Sequence, residues 1–333
     1  RCLGLVEING VLEAVTFAYV NKGFITARAF LPEQDLSDGS LDVVVVEGEL
    51  EAIAINGDAQ GANGHRVSAF PGMIGKPVNL RRVEQGLDQM SRLQSVDANM
   101  QIAAGSEQGT SVLMVNRKAG SPWSGSFYMD NLGSAATGVY QSRLSIAGDD
   151  LLGLNDQWNL SLQRSMNGSP ISYSGERPYG NTITFGASIP VGRWTFAYNR
   201  SANEYFSSVP SALGPIKTSG ASKTPSLSVD YLLHRDQVSK TNLTATITRK
   251  ENKSYILGTL VSASSRSLTV ADINLAHSRQ IWGGNATASI GYSQGLKWWG
   301  AFDDGTAPAG SPKGQFKKTH LSLGFTKAFT MGS

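Results

Sequence analysis

From Pro122 onward the chain alternates apolar and polar residues with period two. Successive side chains of a β-strand point to opposite faces, so this pattern predicts half-buried strands. Trp158, Leu160 and Leu162 interleave with Asn159, Ser161 and Gln163, and Ile183, Phe185, Ala187 and Ile189 with Thr182, Thr184, Gly186 and Ser188. The alternation continues through Trp194, Phe196 and Tyr198 against Thr195 and Asn199, and through Leu227, Val229 and Tyr231 against Ser228 and Asp230. It recurs in Ala286, Ala288, Ile290 and Tyr292 against Thr287, Ser289, Gly291 and Ser293, and in Leu321, Leu323 and Phe325 against Ser322, Gly324 and Thr326. One face of each segment is apolar. The other is polar and mostly uncharged.

A soluble sandwich also alternates, but three further features favour a membrane barrel of about ten strands in this region. Several segments run to roughly 10 residues or more, the length a tilted strand needs to cross a bilayer. Their connections alternate in length, short at Gly148–Asp156, Val191–Arg193 and Trp282–Asn285, long at Asn167–Asn181, Ser207–Lys223 and Trp299–Lys318. Short periplasmic turns and long external loops are the outer-membrane arrangement. Aromatic residues fall near strand ends, at Trp158, Trp194, Tyr205, Tyr231, Trp282 and Trp299, where an interfacial girdle would lie. No stretch approaches the roughly 20 apolar residues of a spanning helix, so a membrane role requires a barrel. The predicted lumen positions are Asn159, Ser161, Gln163, Thr184, Ser188, Asn199, Asp230, Ser289 and Ser293, with Trp158, Leu160 and Leu162 toward lipid. The run Leu268–His277 changes phase at Ala271, for which a bulge is one explanation.

Ahead of Pro122 the character differs. Leu5, Ile8, Leu12, Val15, Tyr19 and Val20 recur at helical spacing, with Gly23 placed to end the helix. Extended runs follow at Ile25–Leu31 and Leu41–Val46. A complete small unit comes next: a strand at Glu49–Asn56, a short helix near Arg66–Met73, a helix at Leu80–Leu93, and strands at Met100–Ala104 and Ser111–Asn116. In the longer helix Leu80, Val83, Leu87, Met90 and Leu93 form one apolar stripe, expected to pack on the sheet.

The net charge of +3 is spread thinly, and no polybasic face is offered to phosphates, so nucleic acid is not an expected partner. Cys2 stands alone, which excludes a self-contained disulfide framework or a cysteine metal cluster. Leu5–Lys22 reads as a helix already in progress, so the chain is expected to begin inside a domain, with targeting sequence upstream. Thr330–Ser333 lack a terminal aromatic, so the barrel is expected to be incomplete.

Particular residues carry a resemblance. Gly23-Phe24-Ile25-Thr26, Arg28-Ala29, Leu31-Pro32-Glu33-Gln34-Asp35-Leu36, Gly39 and Val46-Glu47-Gly48 resemble the first periplasmic POTRA domain of two-partner secretion transporters, the ShlB/FhaC/HecB-like family. Asn79-Leu80-Arg81, Glu84-Gln85-Gly86-Leu87 and Asn116-Arg117 are similar to the second POTRA domain. Asp130-Asn131-Leu132-Gly133, Thr137-Gly138 and Leu152-Gly153-Leu154-Asn155-Asp156 resemble the first hairpin and turn of the barrel. The family's Arg-Gly-aromatic signature of the sixth external loop has no counterpart here.

The fold expected is α+β POTRA domains followed by an antiparallel transmembrane β-barrel, incomplete in this chain. Residues 1–48 would form the C-terminal part of the first POTRA domain, 49–119 the second, and 120–333 the N-terminal part of the barrel. The resemblance implies a translocator in the bacterial outer membrane that captures a large secreted partner protein, an adhesin or haemolysin, in the periplasm and exports it. A barrel-assembly insertase of the same superfamily and a passive porin are the alternatives. The strand Asn99, Met100, Gln101, Ile102, Ala103 and Ala104 is the expected sheet edge to which the partner would add a strand. No cofactor is implied.

Enzyme motifs fail in context. Gly291-Tyr292-Ser293-Gln294-Gly295 fits the GxSxG pattern, with Asp303 or Asp304 and His320 after it, but a nucleophile elbow needs a turn from strand into helix, and Ser293 continues a strand. His65, His234, His277 and His320 are scattered singly, without metal-ligand spacing. Glu33, Asp35, Asp38 and Asp42 do not match a calcium loop.

Overall fold

The computed structural model describes residues 4–35, 39–59, 63–166, 178–209, 211–212, 214–306, 310 and 312–329. Cys2, Leu36, Asp38, residues 167–177 of the expected long loop and Thr330–Ser333 lie outside them. The chain forms two units. The first comprises Arg1–Gly120 with the short segments Leu152–Asn155 and Pro190–Gly192, and the second Ser121–Leu151, Asp156–Ile189 and Arg193–Ser333. Among the described residues no helix is long and apolar enough to cross a membrane.

The first unit opens with helix α1 (Leu5–Asn21). The Glu7 carboxylate accepts from the Gly4 N–H at 2.9 Å, satisfying a donor that the first turn leaves unpaired. The helix stops at Gly23, whose φ of +96° a side chain would resist. Strands β1 (Arg28–Phe30) and β2 (Val44–Val46) pair antiparallel and are shorter than the extended runs expected there. Ile8, Leu12, Val15, Tyr19 and Val20 are half-buried, and Leu5 is exposed.

Then come β3 (Glu49–Ile55), α2 (Asn63–Ala69), α3 (Leu80–Ser91), β4 (Val96–Ala104) and β5 (Thr110–Ala119). The last strand is central: the sheet order is β3-β5-β4, with β3 parallel and β4 antiparallel to β5. Helix α2 was expected over Arg66–Met73 but ends at Ala69. Pro71 disfavours a helical Phe70, and the Phe70 ring turns into the core beside Leu50, Ile53, Val83, Met90, Leu113 and Val115. The stripe of α3 packs as its spacing predicted, with Val83 and Met90 buried and Leu87 half-buried. Its first turn is capped by Asn79, whose Oδ1 accepts from the Arg81 N–H at 3.0 Å.

Among the described residues the second unit forms one antiparallel sheet of 11 strands. In chain order these are β6 (Trp123–Asp130), β7 (Tyr140–Asp149), β8 (Gln157–Met166), β9 (Tyr179–Val191), β10 (Trp194–Val209) and β11 (Ile216–Arg235). They continue with β12 (Ser239–Ile256), the two-residue β13 (Thr259–Leu260), β14 (Arg266–Ile281), β15 (Gly284–Leu296) and β16 (Lys317–Thr326). Each long strand pairs with its neighbours in sequence, so the sheet is a meander; among the described residues β13 pairs with the end of β12 alone. Connections are short at one end, as at Trp282–Gly283, where φ values of 54° and 70° suit a tight hairpin. At the other end they lengthen, culminating in residues 297–316.

Two expectations are corrected. Ser207–Lys223 was expected to be a long loop, but Ser207–Val209 pairs with Ile216–Thr218 and the ladder runs on through Lys223. The small and hydroxylated residues there suit a strand without a packed face. At Ala271 no bulge exists: β14 keeps one register with β12 and β15 throughout. The phase change reflects Leu268, which sits on the polar side with its Cδ2 beside Gly314 of the loop 297–316. The irregularity that does occur lies in β11, between Leu232 and His234.

Candidate functional site: an edge strand and a two-faced sheet

Among the described residues of the first unit β4 pairs only with β5, so the sheet order leaves its other side at the edge. The six predicted residues all lie in it, Asn99 opposite Asn116, Gln101 opposite Met114 and Ala103 opposite Val112. Met100 and Ile102 pack against the core while Asn99 and Gln101 are exposed. The strand starts earlier than expected, at Val96. The continuing alternation of Val96, Ala98 and Met100 could have revealed the extra length. Its far end is tied down by Glu51, whose carboxylate accepts from the Ser106 N–H at 2.7 Å, the Ser106 hydroxyl at 2.8 Å and the Thr110 hydroxyl at 2.7 Å. These donors, Thr110 foremost, hold the Glu51 carboxyl below its ordinary range.

Also within the first unit, the Asn155 side-chain amide donates to the Ser68 hydroxyl at 2.7 Å and the His65 carbonyl at 3.1 Å, and the Gln89 amide donates to the Gly192 carbonyl at 3.1 Å. Asn155 is fully buried and holds a φ of 54°, which Asn tolerates better than most residues.

The second unit sorts its side chains by face. Leu162 stands between Leu144 and Ile183, Leu227 between Tyr198 and Ile247, and Leu275 between Leu243 and Ile290, which neighbours Leu321. This face is apolar and bare: Ile183 is 51% exposed, Leu227 54% and Leu321 69%. Trp158, Trp194, Tyr231 and Trp282 gather at its short-turn end. Tyr205 departs from the expected girdle, because it lies on the opposite, polar face against Gly220, where a Cβ would meet its ring at 2.5 Å.

All nine predicted lumen residues lie on that polar face. Ser161 stands between Ser145 and Thr184, with 3.2 Å between the serine hydroxyls. Asn159 and Asn199 converge over Gly186, where a Cβ would lie 2.1 and 2.9 Å from their Oδ1 atoms. Asp230 accepts from the Asn242 amide at 3.1 Å and the Thr244 hydroxyl at 2.8 Å. Ser289 faces Ser322, and Ser188 faces Gln157.

Ser293 lies mid-strand and donates to Asp272. Asp272, Asn242 and Thr244 are not among the expected lumen positions, although each sits at a polar position of an alternating run. Asp303 instead pairs with Lys297 at 2.7 Å, and Asp304 holds the loop 297–316 by accepting from the Gly314 and Gln315 N–H groups. His320 stands opposite Gly291. No serine–histidine–carboxylate relay is assembled by these residues. Among the described residues no group of His, Cys, Asp and Glu is arranged to hold a metal ion.

Comparison with known proteins decides the family, because residues 109–333 match the haemolysin secretion/activation protein family ShlB/FhaC/HecB. The chain belongs to that family. Residues 1–48 match the ShlB-type POTRA domain and residues 49–104 a second POTRA domain. The chain is 35% identical over 325 residues to the outer membrane transporter CdiB of Dickeya dadantii, covering 98% of this chain and 57% of that relative. It is 30% identical over 330 residues to the hemolysin transporter protein ShlB of Serratia marcescens, covering 98% of this chain and 55% of that one. The structure of CdiB from Escherichia coli superposes with a TM-score of 0.89 at 32% identity, over 99% of this chain and 60% of that one. The chain thus spans somewhat over half the length of these relatives. As in them, the sheet belongs to an outer-membrane barrel and the POTRA domains to the periplasm.

Proposed function

We propose that this ShlB-family chain captures a large secreted protein, of the haemolysin or adhesin kind, on its POTRA domains and passes it outward through a pore lined by the polar face of the sheet. The observation that carries this reading is the union in one polypeptide of an edge strand, β4, with a sheet that is apolar on one face and rich in hydroxyls and amides on the other. Backbone N–H and C=O groups at an edge bind an extended chain with little regard to its sequence. The polar face would offer a sliding chain replaceable hydrogen bonds and few fixed charges. Asp230 and Asp272 already accept from neighbouring hydroxyls, which leaves them less eager for passing cations. Lipid would cover the apolar face. Neither nucleotide, cofactor nor catalytic step enters this reading, and nucleic acid is not a partner.

The test uses the whole transporter and its secreted partner. Gln101→Pro or Ala103→Pro should reduce partner capture and secretion with the barrel still folded, whereas Gln101→Ala should matter little, because backbone groups carry this mode. Single cysteines at Asn99 and Gln101 should form disulfides with every second position of a cysteine-scanned partner segment. Full secretion with no cross-link from β4 would overturn the assignment of the edge.

A further inference from the structure

Strands β11 and β12 are 20 and 18 residues long, about twice what a tilted strand needs to cross a bilayer. Their apolar face ends abruptly part-way along. On β10, Trp194, Phe196 and Tyr198 give way to Arg200 and then Glu204; on β11, Tyr231, Val229 and Leu227 give way, toward the long-loop end, to Lys223; on β12, Leu243, Ala245 and Ile247 give way to Arg249, Glu251 and Lys253. The register between these strands is unbroken over this region, so all six charged residues point to the same side as the apolar band.

They are also neighbours. Lys223 stands directly opposite Glu251, and Glu251 pairs with Arg249 at 3.4 Å and Lys253 at 3.2 Å. Glu204 accepts from the Asn181 amide at 3.0 Å. Four cations thus face two carboxylates, and Arg200, Lys223 and Lys253 are exposed.

We propose that this patch binds the phosphorylated headgroup of a lipid in the outer leaflet, a lipid A-type glycolipid whose acyl chains lie along the apolar band beneath. The long-loop end of an outer-membrane barrel faces outward, so the patch sits where that leaflet carries its phosphates. A net positive cluster flush with an apolar surface is complementary to an amphiphile with an anionic head, and Arg and Lys there can donate to phosphate oxygens while their stems stay on the greasy side. The inference rests on the family's placement in the outer membrane and not on export.

The experiment measures lipid A bound to the purified whole transporter in detergent and in nanodiscs, using bis-phosphorylated lipid A and its dephosphorylated form as probes. Combining Arg200→Gln, Lys223→Gln and Arg249→Gln should weaken binding of the phosphorylated probe by roughly five-fold per cation removed. Lys250→Gln with Lys318→Gln, on the opposite face, should leave it unchanged. Glu251→Gln, which releases Arg249 and Lys253 from their carboxylate, should strengthen it, a gain that misfolding cannot produce. Equal binding of the two probes, displacement by millimolar inorganic phosphate, or no gain from Glu251→Gln would each overturn the proposal.

Discussion

Trp194 and Tyr231 stand opposite one another across β10 and β11, with their ring centroids 4.3 Å apart. The Arg193 guanidinium lies 5.3 Å from the same tyrosine ring. This stack marks the short-turn end of the apolar face, where amphipathic rings favour a membrane interface. Replacing both aromatics in a double-mutant cycle, Trp194→Leu and Tyr231→Leu, should reveal a coupling of about 0.5–1.5 kcal/mol in the reversible unfolding of the barrel, beyond the loss of buried area. Additive single effects would mean that the rings act only as separate anchors.

The two faces make opposite demands on a charge. Leu160→Arg should cost about 2–4 kcal/mol of barrel stability if the site is near the midplane of the bilayer, while Ser161→Arg, its sequence neighbour on the polar side, should be mild. Unfolding in lipid vesicles measures both. Equal costs would mean that the faces have been assigned to the wrong environments.

Glycine in a helix interior usually gains from alanine, but Gly86 in α3 should not. A Cβ there would lie 2.1 Å from Phe70 Cε1 and 2.8 Å from the Ala69 carbonyl. The ring can move a little, whereas the backbone oxygen cannot do so cheaply. Gly86→Ala should therefore destabilise the second POTRA domain by about 1–3 kcal/mol, as overpacking does, and thermal unfolding should show a lower midpoint.

Glu51 links the β4–β5 turn to pH. Its folded carboxyl titrates below the ordinary range, chiefly through the Thr110 and Ser106 hydroxyls. The stabilisation is therefore complete above the unfolded value of about 4.3 and is lost as pH falls through the lowered folded value. Protection of the Ser106 amide, corrected for intrinsic exchange, should decline over that acidic window and lose its pH dependence in Glu51→Gln. A flat profile in the unaltered chain would refute the link.

Much of this molecule was readable without coordinates, for reasons that differ by region. Alternation in residues such as Ser289, Ile290, Gly291 and Tyr292 fixes which face each residue takes, because the period of a strand is two whatever its neighbours do. Hence all nine positions expected to line the lumen share a face. Strand ends were harder to read. Ser207–Lys223 carries turn-forming Pro210, Gly214 and Pro215 amid Ser and Thr, and nothing local distinguishes a solvated strand from a loop; its pairing is decided across the ladder. Tyr205 was misplaced because an aromatic near a strand end suggests an interface, yet its parity with Asn199 and Asn203 assigns it to the polar face. The Glu51 cluster and the charged patch were invisible for a shared reason: each joins residues distant in sequence.

The pairing order has a consequence for how the chain acquires its structure. In the large sheet every extended ladder joins strands that are near neighbours in sequence, so even its longest connection, residues 297–316, is shorter than the separation of β3 from β5, and much of the entropy of long-range closure is avoided. The POTRA sheet is built the other way: β3 finds its parallel partner only when Thr110–Val115 arrives opposite Glu49–Ile55. During vectorial synthesis β3 must therefore wait, unpaired on that side, until both helices and β4 have emerged, whereas each long strand of the large sheet is followed in the chain by its ladder partner. Within the POTRA sheet the parallel β3–β5 ladder should accordingly be the last to form.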